Sequence, residues 1–391
     1  MIPFEEAQRF VMEAAVQLGK ETVPLETAYG RVLCEDIYSD VDMPPFDKSA
    51  RDGYAIRSED LDKRLKIIET IPAGRFPGKV VGECECAKIM TGSVVPHGAD
   101  RVVMIEHTEM KDNAVIVTER ESERNICYKA EDVRAGDVVL KNGTVVAVPE
   151  VAVLAAVGCA LVPVSRRPVV GIVATGSELV EPSQKPSGAE IRNSNSYQLC
   201  SQAERAGCEP VYLGIAEDSP EAIGRVIDRN FSRVDVFLVS GGVSMGEFDY
   251  VPRVLEEKGF ELLFEKVAVK PGKPTVFGKI DSKYVFGIPG NPVSTFVIFE
   301  LFVKPFCYRL MGCDYSPVTV TAKLAETIKR KKAERLEFIP VSMSPDGEVG
   351  PVDYHGSAHI HAYTAANGFI SIEVGEKEIE AGKYVKVTLI R

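Results

Sequence analysis

Three glycine-containing stretches of the sequence combine residues that could bind a phosphate group. They read TGSEL (Thr175 to Leu179), SGGVSMGEFDY (Ser240 to Tyr250) and IPGNPVS (Ile288 to Ser294). Glycines let backbone N–H groups approach a phosphate closely, and a helix N-terminus adds favourable partial charge. Asn291 followed by Pro292 predicts such a helix start. Tight turns would need the same glycines. However, all three stretches follow strands of one predicted sheet, described below, and three such stretches at one edge favour an anion site.

Three carboxylates accompany these stretches. Glu178 lies in the first stretch, Asp249 lies in the second, and Asp218 follows another predicted strand. Beside a phosphate, clustered carboxylates suit Mg²⁺, which prefers oxygen ligands and bridges to phosphate oxygens. The alternative is helix capping, in which an acid in the first turn stabilises the helix slightly. Capping is at least as good an interpretation for Asp218, whereas the glycine stretches favour a metal role for Glu178 and Asp249.

A basic segment, VAVKPGKPTVFG, occupies Val267 to Gly278. Lys266 just before it, Lys270 and Lys273 form a cluster that could hold an oxyanion or phosphates. Solvated surface lysines are the commoner explanation of a lysine cluster. The Pro and Gly residues limit the freedom of this segment, so the sequence favours a preorganised anion site.

An α/β domain would position these stretches. Between Arg167 and Gly312, predicted buried strands alternate with helices, which implies a parallel sheet with right-handed crossovers. In such sheets ligands bind outside the carboxyl ends of the strands, where the glycine stretches lie. The predicted strands are Val169 to Ala174, Val211 to Ile215, Val234 to Ser240 and Val285 to Ile288.

Local signals predict where two helices of this domain begin. Asn195 with Gln198 three residues later resembles a capping box. Ser219 followed by Pro220 is an N-cap with proline at the first helical position. Both signals place a helix directly after a predicted strand.

The flanking segments are predicted to contain two further helices and two β modules. An apolar stripe over residues 4–18, ended by Gly19, predicts an amphipathic helix, and residues 149–157 predict a second helix that packs beside it. The residues between them and those after Pro317 read as short strands. These are Leu65 to Ile71, Val102 to Ile105, Ala114 to Thr118 and Val138 to Leu140, then Val318 to Ala322, Phe338 to Ser342, Phe369 to Val374 and Tyr384 to Ile390.

The composition excludes several classes of protein. The 391 residues are 45% apolar and 26% charged, which is ordinary globular usage and excludes collagen-like, disordered and coiled-coil chains. A formal charge of -11 disfavours bulk attraction to nucleic acid or an anionic membrane. The nine cysteines lack zinc-site spacing and the start lacks a signal peptide, so we expect a cytoplasmic protein with reduced thiols.

Seven motifs in order resemble the molybdopterin molybdenumtransferases of molybdenum cofactor biosynthesis, the MoeA family, which is related to the C-terminal domain of gephyrin. The motifs are PPFDKSARDGYA, IMTGSVVPHGADRVV, ATGSEL, SGGVSMGEFDY, VAVKPGKP, GIPGNPVS and HGSAHI. They extend the resemblance from Phe4 almost to Arg391. Seven motifs in one order leave little room for coincidence.

The resemblance implies a multidomain α/β plus β fold in four parts. It implies a discontinuous linker and dimerisation domain at 1–41 and 134–166 and a β-rich insert domain at 42–133. The molybdopterin-binding domain at 167–313 would be a three-layer α/β domain with a mostly parallel sheet. Residues 314–391 would form a small C-terminal β-barrel-like domain.

The resemblance also implies an activity. Members of the family consume adenylylated molybdopterin and molybdate, insert the oxyanion into the pterin dithiolene and release AMP. The chain is therefore expected to be a molybdopterin molybdotransferase that uses Mg²⁺ and acts as a homodimer. The adenylyltransferase of the same pathway is an expected partner, and neither nucleic acid nor membrane is.

Roles for individual residues follow from the same resemblance. The expected catalytic residues are Asp249, Glu178, Lys266, Lys270, Asp52 and Asp132, of which Asp52 and Asp132, with Thr91, would be contributed across the dimer. The expected Mg²⁺ ligands are Glu178, Asp218 and Asp249, and the expected molybdate site is Lys270, Pro271, Arg335 and Ser357. The expected substrate-binding residues are Thr91, Thr175, Gly176, Ser240, Gly241, Gly242, Ser244, Gly246, Lys273, Pro289, Gly290, Asn291, Pro292 and Ser294.

At two places in the sequence, the family's residue roles cannot be carried over directly. Many relatives carry a basic side chain near the position of Cys127, and Lys129 is a possible replacement here. His359 and His361 have the spacing of metal ligands two apart on a strand, but a loop histidine with local hydrogen bonds is the better interpretation without a third ligand.

Two other functions compete with molybdenum transfer. One is adenylylation of molybdopterin, because the α/β domain alone resembles those adenylyltransferases. The other is a non-catalytic, gephyrin-like scaffold. The flanking β modules weigh against the first, and the intact carboxylates and lysines weigh against the second.

Overall fold

The computed structural model describes residues 1–243 and 249–390, so Ser244 and Gly246 lie outside the described residues. In the described part a π-helical turn, Phe299–Val303, joins the last two α-helices into one continuous helical segment. The α-helices are α1 Phe4–Ala14, α2 Val148–Ala156, α3 Asn195–Arg205, α4 Pro220–Asn230, α5 Val251–Glu257, α6 Pro292–Ile298 and α7 Lys304–Leu310. None of the described helices combines the length and the apolar character that crossing a membrane requires.

A six-stranded sheet forms the centre of the chain. Its strand order is Glu209–Ala216, Val169–Thr175, Val236–Ser240, Lys283–Ile288, Val276–Ile280 and Glu261–Phe264. The first four strands are parallel and include the four predicted ones, whereas the last two pair antiparallel. The predicted mostly parallel sheet is therefore confirmed.

Helices cover both faces of this sheet, which explains why its strands are almost wholly apolar. Leu238 packs in one core with residues of α3 and α6. Its neighbours Phe237 and Val239 pack in a second core with residues of α4 and α5. Successive residues of one strand thus face opposite helix layers, as the alternation of a β-strand requires, and the domain has three layers.

A second six-stranded sheet is built from the insert segment. Its pairings are antiparallel except for one parallel pair, between Leu65–Ile71 and Glu85–Ile89. The strand order is Arg101–Met104, Gly53–Ile56, Glu85–Ile89, Leu65–Ile71, Ala114–Val117 and Thr108–Lys111. The β-rich character predicted for this segment is confirmed.

The C-terminal strands close into a small barrel. The order is Leu336–Met343, Glu348–Pro351, Thr319–Leu324, Tyr384–Leu389 and Gly368–Ile372, and the last strand pairs back with the first. A short strand from the central part of the chain, Val269–Lys270, pairs in parallel with the start of Leu336–Met343. The basic segment of the sequence is therefore fixed to the barrel by backbone hydrogen bonds.

Five short two-stranded pairs connect the parts of the chain. They are Lys20–Pro24 with Leu161–Ser165, Ile37–Tyr38 with Val138–Leu140, Lys48–Ser49 with Ile126–Cys127, Leu179–Val180 with Ile191–Arg192, and Ile328–Lys329 with Glu378–Ile379. The first two return the chain to its N-terminal segment. All nine cysteines are free thiols, as expected.

Two predictions about the N-terminal helix are wrong. The helix ends at Ala14, because the next backbone amides leave the helical pattern: Val16 N–H donates to Tyr284 Oη at 3.0 Å and Leu18 N–H to Leu310 O at 2.8 Å. Ala7 and Val11 of α1 pack in the core of the central domain, whereas α2 contributes Leu154 to a separate core. The helix α2 is therefore not packed in one core with α1.

Candidate active site

The carboxyl ends of the central strands open into a cleft of about 510 Å³, here called the sheet-edge cleft. The three glycine stretches meet there, which confirms their predicted placement at one edge of the sheet. Of the residues expected to act at the site, those that line this cleft are Thr175, Gly176, Glu178, Asp218, Ser240, Gly241, Gly242, Asp249, Pro289, Gly290, Asn291 and Pro292.

Gly241 is required by the close approach of two of these stretches. Its φ is +102°, and a Cβ atom at this position would lie 2.4 Å from the backbone oxygen of Thr175. The Gly241 N–H donates to Ile288 O at 2.9 Å. A side chain would therefore force the second stretch away from the first and widen the cleft.

Asn195 holds two cleft loops together instead of capping its helix. It is the first residue of α3, which Ser194 precedes as N-cap, so the predicted capping box is wrong. The Asn195 side-chain amide donates to Ser240 Oγ at 2.9 Å and to Gly290 O at 2.7 Å. These contacts cross the sheet edge from one glycine stretch to another.

Asp218 anchors the first glycine stretch. One of its carboxylate oxygens accepts a hydrogen bond from Thr175 Oγ1, and the other accepts from Ser177 N–H at 3.2 Å. The N-cap of α4 is Ser219, whose hydroxyl oxygen accepts from Ala222 N–H at 3.2 Å, as predicted. The capping interpretation of Asp218 is therefore wrong.

The three acidic residues share the sheet-edge cleft without forming a compact trio. Glu178, Asp218 and Asp249 all line it. Among the residues that the structure describes, the one trio of possible ligands with its atoms all within 4.8 Å of one another is Asp60, Glu83 and Cys84, in the insert sheet region. The cleft therefore offers carboxylate oxygens that are spread along its wall.

A cation that sequence reasoning missed also lines this cleft. Arg192 is the one Lys or Arg side chain among the described lining residues, and its Nε–H donates to Gln184 O at 3.0 Å. Nothing in the spacing of the sequence marks it, because it reaches the cleft through the short pair of Leu179–Val180 with Ile191–Arg192.

Glu181 fixes the loop that carries Arg192. Its two carboxylate oxygens accept hydrogen bonds from Tyr212 Oη at 2.6 Å and Tyr197 Oη at 3.0 Å. Burial and the hydrogen bond to Glu181 raise the pKa of Tyr212 well above its usual value. Tyr212 therefore stays a neutral hydrogen-bond donor, and the loop is tied to the sheet and to α3.

A second cleft of about 840 Å³, the basic cleft, adjoins the first. Pro274 lines both clefts, and the 356–358 turn separates them, with Ser357 on the basic side and Ala358 on the other. The expected residues that line the basic cleft are Lys270, Pro271, Lys273, Ser294, Arg335 and Ser357. The structure thus brings together the four residues expected to bind molybdate.

The remaining expected residues lie elsewhere in this single chain. Lys266, Asp52, Thr91 and Asp132 are not among the described residues that line either cleft. Asp132 donates its backbone N–H to Met43 O at 3.0 Å. The basic residues expected as one cluster are therefore divided, with Lys270 and Lys273 at the basic cleft and Lys266 outside it.

Asp52 and Thr91 form a pair within the insert segment. One carboxylate oxygen of Asp52 accepts from Thr91 N–H at 2.6 Å and from Thr91 Oγ1 at 2.9 Å. These two hydrogen bonds lower the pKa of Asp52. Two residues that the family resemblance groups together are thus in direct contact, and Asp52 is ionised at neutral pH.

The structure also places the two features that departed from the family pattern. Lys129 forms an ion pair with Asp42, with Nζ 3.2 Å from the carboxylate. His359 precedes a 3-10 turn, Ile360–Thr364, that contains His361, so the two histidines do not lie on a strand, in agreement with the preferred interpretation. His359 Nδ1 accepts from His355 N–H at 3.3 Å, which agrees with local hydrogen bonding.

Sequence profiles of three family regions match the chain in order. They are described as "MoeA N-terminal region (domain I and II)" over residues 2–158, "Probable molybdopterin binding domain" over 171–309, and "MoeA C-terminal region (domain IV)" over 321–390. These matches span the insert sheet, the central three-layer domain and the barrel.

Individual relatives match over the whole length. The molybdopterin molybdenumtransferase of Staphylococcus aureus (strain COL) is 36% identical over 399 aligned residues, covering 99% of this chain and 95% of the relative. That of Bacillus subtilis (strain 168) is 36% identical over 406, covering 100% and 94%. The crystal structure of the molybdopterin biosynthesis moeA protein from Pyrococcus horikoshii OT3 superimposes with a TM-score of 0.87 and 32% identity, covering 100% of both chains. The chain therefore belongs to the MoeA family of molybdopterin molybdenumtransferases.

Proposed function

We propose that this chain inserts molybdate into adenylylated molybdopterin and releases AMP. The observation that carries the proposal is the junction of two clefts with different chemistry. The sheet-edge cleft offers glycine loops and carboxylates, and the adjoining basic cleft offers Lys270, Arg335 and Ser357. A substrate with phosphates in the first cleft would present its dithiolene to an oxyanion in the second.

The chemistry requires an oxyanion site beside a phosphate site. Two thiolate sulfurs bond to molybdenum, one oxo group takes up two protons and leaves as water, and water cleaves the phosphoanhydride to give AMP. Lys270 and Arg335 would bind the molybdate dianion through charge-assisted hydrogen bonds. Lys273 would offset further negative charge, and the loops around Gly241 and Gly290 would hold the phosphates.

The acidic residues of the sheet-edge cleft fit Mg²⁺ by their donor type. All three offer carboxylate oxygens, and this ion keeps several waters and substrate phosphate oxygens rather than requiring a closed protein cage. Glu178, Asp218 and Asp249 would be the ligands, and Asp218 would keep its place through the hydrogen bonds that its oxygens accept from Thr175 and Ser177. When bound, Mg²⁺ would stabilise the charge that develops as the phosphoanhydride breaks.

A homodimer would complete the site. Asp52 and Thr91 are paired with each other but do not line either cleft of their own chain. In our proposal the partner subunit contributes this pair to the sheet-edge cleft. We further propose a cytoplasmic location, supported by nine free thiols, and delivery of the substrate by the adenylyltransferase of the pathway.

The experiment measures two reactions of the purified chain with Mg²⁺ and separates three candidate functions. Incubation with adenylylated molybdopterin should release AMP, and molybdate should stimulate the release. Incubation with molybdopterin and ATP should release no pyrophosphate, which an adenylyltransferase would produce. A scaffold would show neither reaction, so absence of molybdate-stimulated AMP release would contradict the proposal.

A further inference from the structure

The basic cleft is also lined by a carboxylate that the proposed function does not use. Glu337 is 7% exposed and lies on the barrel strand Leu336–Met343. We propose that Glu337 is the positioning residue that holds the Lys270 ammonium in place for the oxyanion. This inference rests on the proposed function, because Lys270 is assigned there to molybdate.

The backbone brings the two side chains together. Val269–Lys270 pairs in parallel with the barrel strand, and Lys270 is in register with Glu337. The Lys270 Nζ lies 2.7 Å from Glu337 Oε1. Both residues line the basic cleft, but the lysine side chain is 53% exposed and the glutamate side chain 9% exposed, so the ammonium is the more accessible group.

Arg330 forms a longer ion pair with the second oxygen of the carboxylate, which is buried and accepts no hydrogen bond from the described residues. Its Nη1 lies 3.5 Å from Glu337 Oε2, and its side chain is 4% exposed. The other guanidinium contacts of Arg330 are hydrogen bonds to three backbone oxygens, those of Arg335, Glu373 and Glu376. Arg330 is therefore a buried charge fixed beside Glu337 by backbone contacts, and the shorter contact of the carboxylate is the one with Lys270.

The arrangement is suited to binding an anion with Lys270. An ammonium has three N–H donors, so the ion pair of Lys270 with one oxygen of Glu337 still allows the lysine to donate to an anion. A free lysine side chain would lose about 2 kcal/mol of rotamer freedom when it binds a ligand. Because Glu337 restricts that freedom beforehand, less of it is lost when molybdate arrives.

Glu337 could instead act by repelling molybdate, and this alternative predicts the opposite change in molybdate affinity. Glu337 carries a negative charge near the proposed molybdate site, and a carboxylate that merely repelled the dianion would weaken binding. Replacing it would then improve binding. The sign of the change in molybdate affinity on replacing Glu337 therefore separates positioning from repulsion.

The test uses Glu337→Gln, which keeps the shape of the side chain and removes its charge. We expect the molybdate concentration for half-maximal AMP release to rise about tenfold. The KM for adenylylated molybdopterin and the rate at saturating molybdate should stay unchanged. Equilibrium dialysis of molybdate alone against the full chain should show the same tenfold loss, independently of turnover.

Three comparisons make the test specific. Lys270→Ala combined with Glu337→Gln should bind molybdate no more weakly than Lys270→Ala alone. Glu337→Asp, which keeps the charge, should fall between the wild type and Glu337→Gln, and it replaces Glu337→Gln if that variant does not fold. Glu348→Gln is the matched control, because Glu348 forms an exposed pair with Lys323 at 3.1 Å on the same barrel.

Tighter molybdate binding by Glu337→Gln would overturn the proposal, as would additive effects in the double variant. Equal losses for molybdate and for the nucleotide substrate, with a lower melting temperature, would show a purely structural role and would also overturn it. If the proposed function itself were wrong, the experimental result would differ from these outcomes. In that case the wild-type chain itself would show no molybdate-stimulated AMP release, while dialysis would still report on Glu337.

Discussion

Asn195 Nδ2 lies 2.9 Å from Ser240 Oγ, so the first residue of α3 is hydrogen-bonded to the end of a central strand 45 residues later. The same amide group donates to Gly290 O in a third part of the chain. One side chain therefore sets the spacing of two loops that are proposed to hold the phosphates of the substrate.

Replacing Asn195 with alanine should weaken binding of the nucleotide substrate. Two hydrogen bonds of about 0.5–1.5 kcal/mol each would be lost, which predicts a KM for adenylylated molybdopterin raised by about five- to 150-fold. The dependence of the AMP-release rate on molybdate concentration should not change. Asn230→Ala is the control, because Asn230 also donates to a backbone oxygen, Val226 O at 2.7 Å, but does not line the cleft. An unchanged KM in Asn195→Ala would mean that the loops keep their spacing without this side chain.

Asp249→Asn should leave folding intact and greatly lower AMP release. The amide keeps the shape of the side chain and removes a charge that Mg²⁺ binding would use. Initial rates at several Mg²⁺ concentrations, with circular dichroism as a check of folding, provide the measurement. Asp228→Asn, which disrupts an exposed pair with Lys258 in the same domain, should keep full activity. Normal turnover of Asp249→Asn at saturating Mg²⁺ would show that Asp249 is not needed for Mg²⁺ binding.

Mixed dimers test whether Asp52 and Asp249 act across the subunit interface. The variants Asp52→Ala and Asp249→Ala should each be inactive alone. In a heterodimer of the two, one site receives both substitutions and the other receives none. Purified heterodimers should therefore recover about half of the wild-type sites, and random mixtures about a quarter.

Co-expression with two different tags, purification on both tags and an AMP assay would measure this recovery. Heterodimers of each variant with wild-type subunits provide the reference activity. The doubly purified heterodimers could instead be no more active than the parent variants. That result would mean that both acids act within one chain, or that Asp52 has only a structural role.

Much of the fold could be predicted from local patterns. The buried strands Val169–Thr175 and Lys283–Ile288 are almost entirely apolar over a length typical of central parallel strands. The Ser219–Pro220 cap depends on neighbouring residues only, and it was predicted correctly. The domain boundaries at 41/42, 133/134, 166/167 and 313/314 stay predictions.

The missed features depend on contacts between distant parts of the chain. Asn195 has the local sequence of a cap, but its partners are 45 and 95 residues away. The end of α1 is set by Tyr284 Oη, 268 residues from Val16. No local signal in the sequence marks Glu337, because only the pairing of Lys270 with the barrel strand brings the two side chains together.

Asp235 should contribute strongly to the stability of the central domain. It is 6% exposed, and its two carboxylate oxygens accept bonds of 2.8 and 3.0 Å from Arg166 and one of 2.8 Å from Val169 N–H. We expect Asp235→Asn to lower the free energy of unfolding by about 2 kcal/mol, less than for a fully buried pair because Arg166 is 40% exposed. Urea unfolding is the measurement, and Glu348→Gln, at an exposed pair, should change it by less than about 1 kcal/mol.

The effect of Asp235 should depend on pH in a defined direction. Burial alone would raise the pKa of this carboxyl, but the hydrogen bonds from Arg166 and Val169 outweigh burial and lower the pKa. The stabilisation is therefore complete above the unfolded-state pKa of about 3.9 and is lost as the pH falls through the lower folded-state value. The difference between wild type and Asp235→Asn should be constant from about pH 5 to 8 and should shrink below about pH 4. A difference that grows on acidification would contradict this assignment.

The most direct test of the proposed transfer is the ratio of molybdenum incorporated to AMP released in single-turnover reactions. Adenylylated molybdopterin, molybdate and Mg²⁺ would be mixed with an excess of the chain, the pterin product separated, and its molybdenum measured by mass spectrometry beside the AMP. We expect about one molybdenum atom in the pterin for each AMP, and we expect both to be lost in Asp249→Asn. AMP release without molybdenum in the pterin would show a hydrolase and would contradict the proposed transfer.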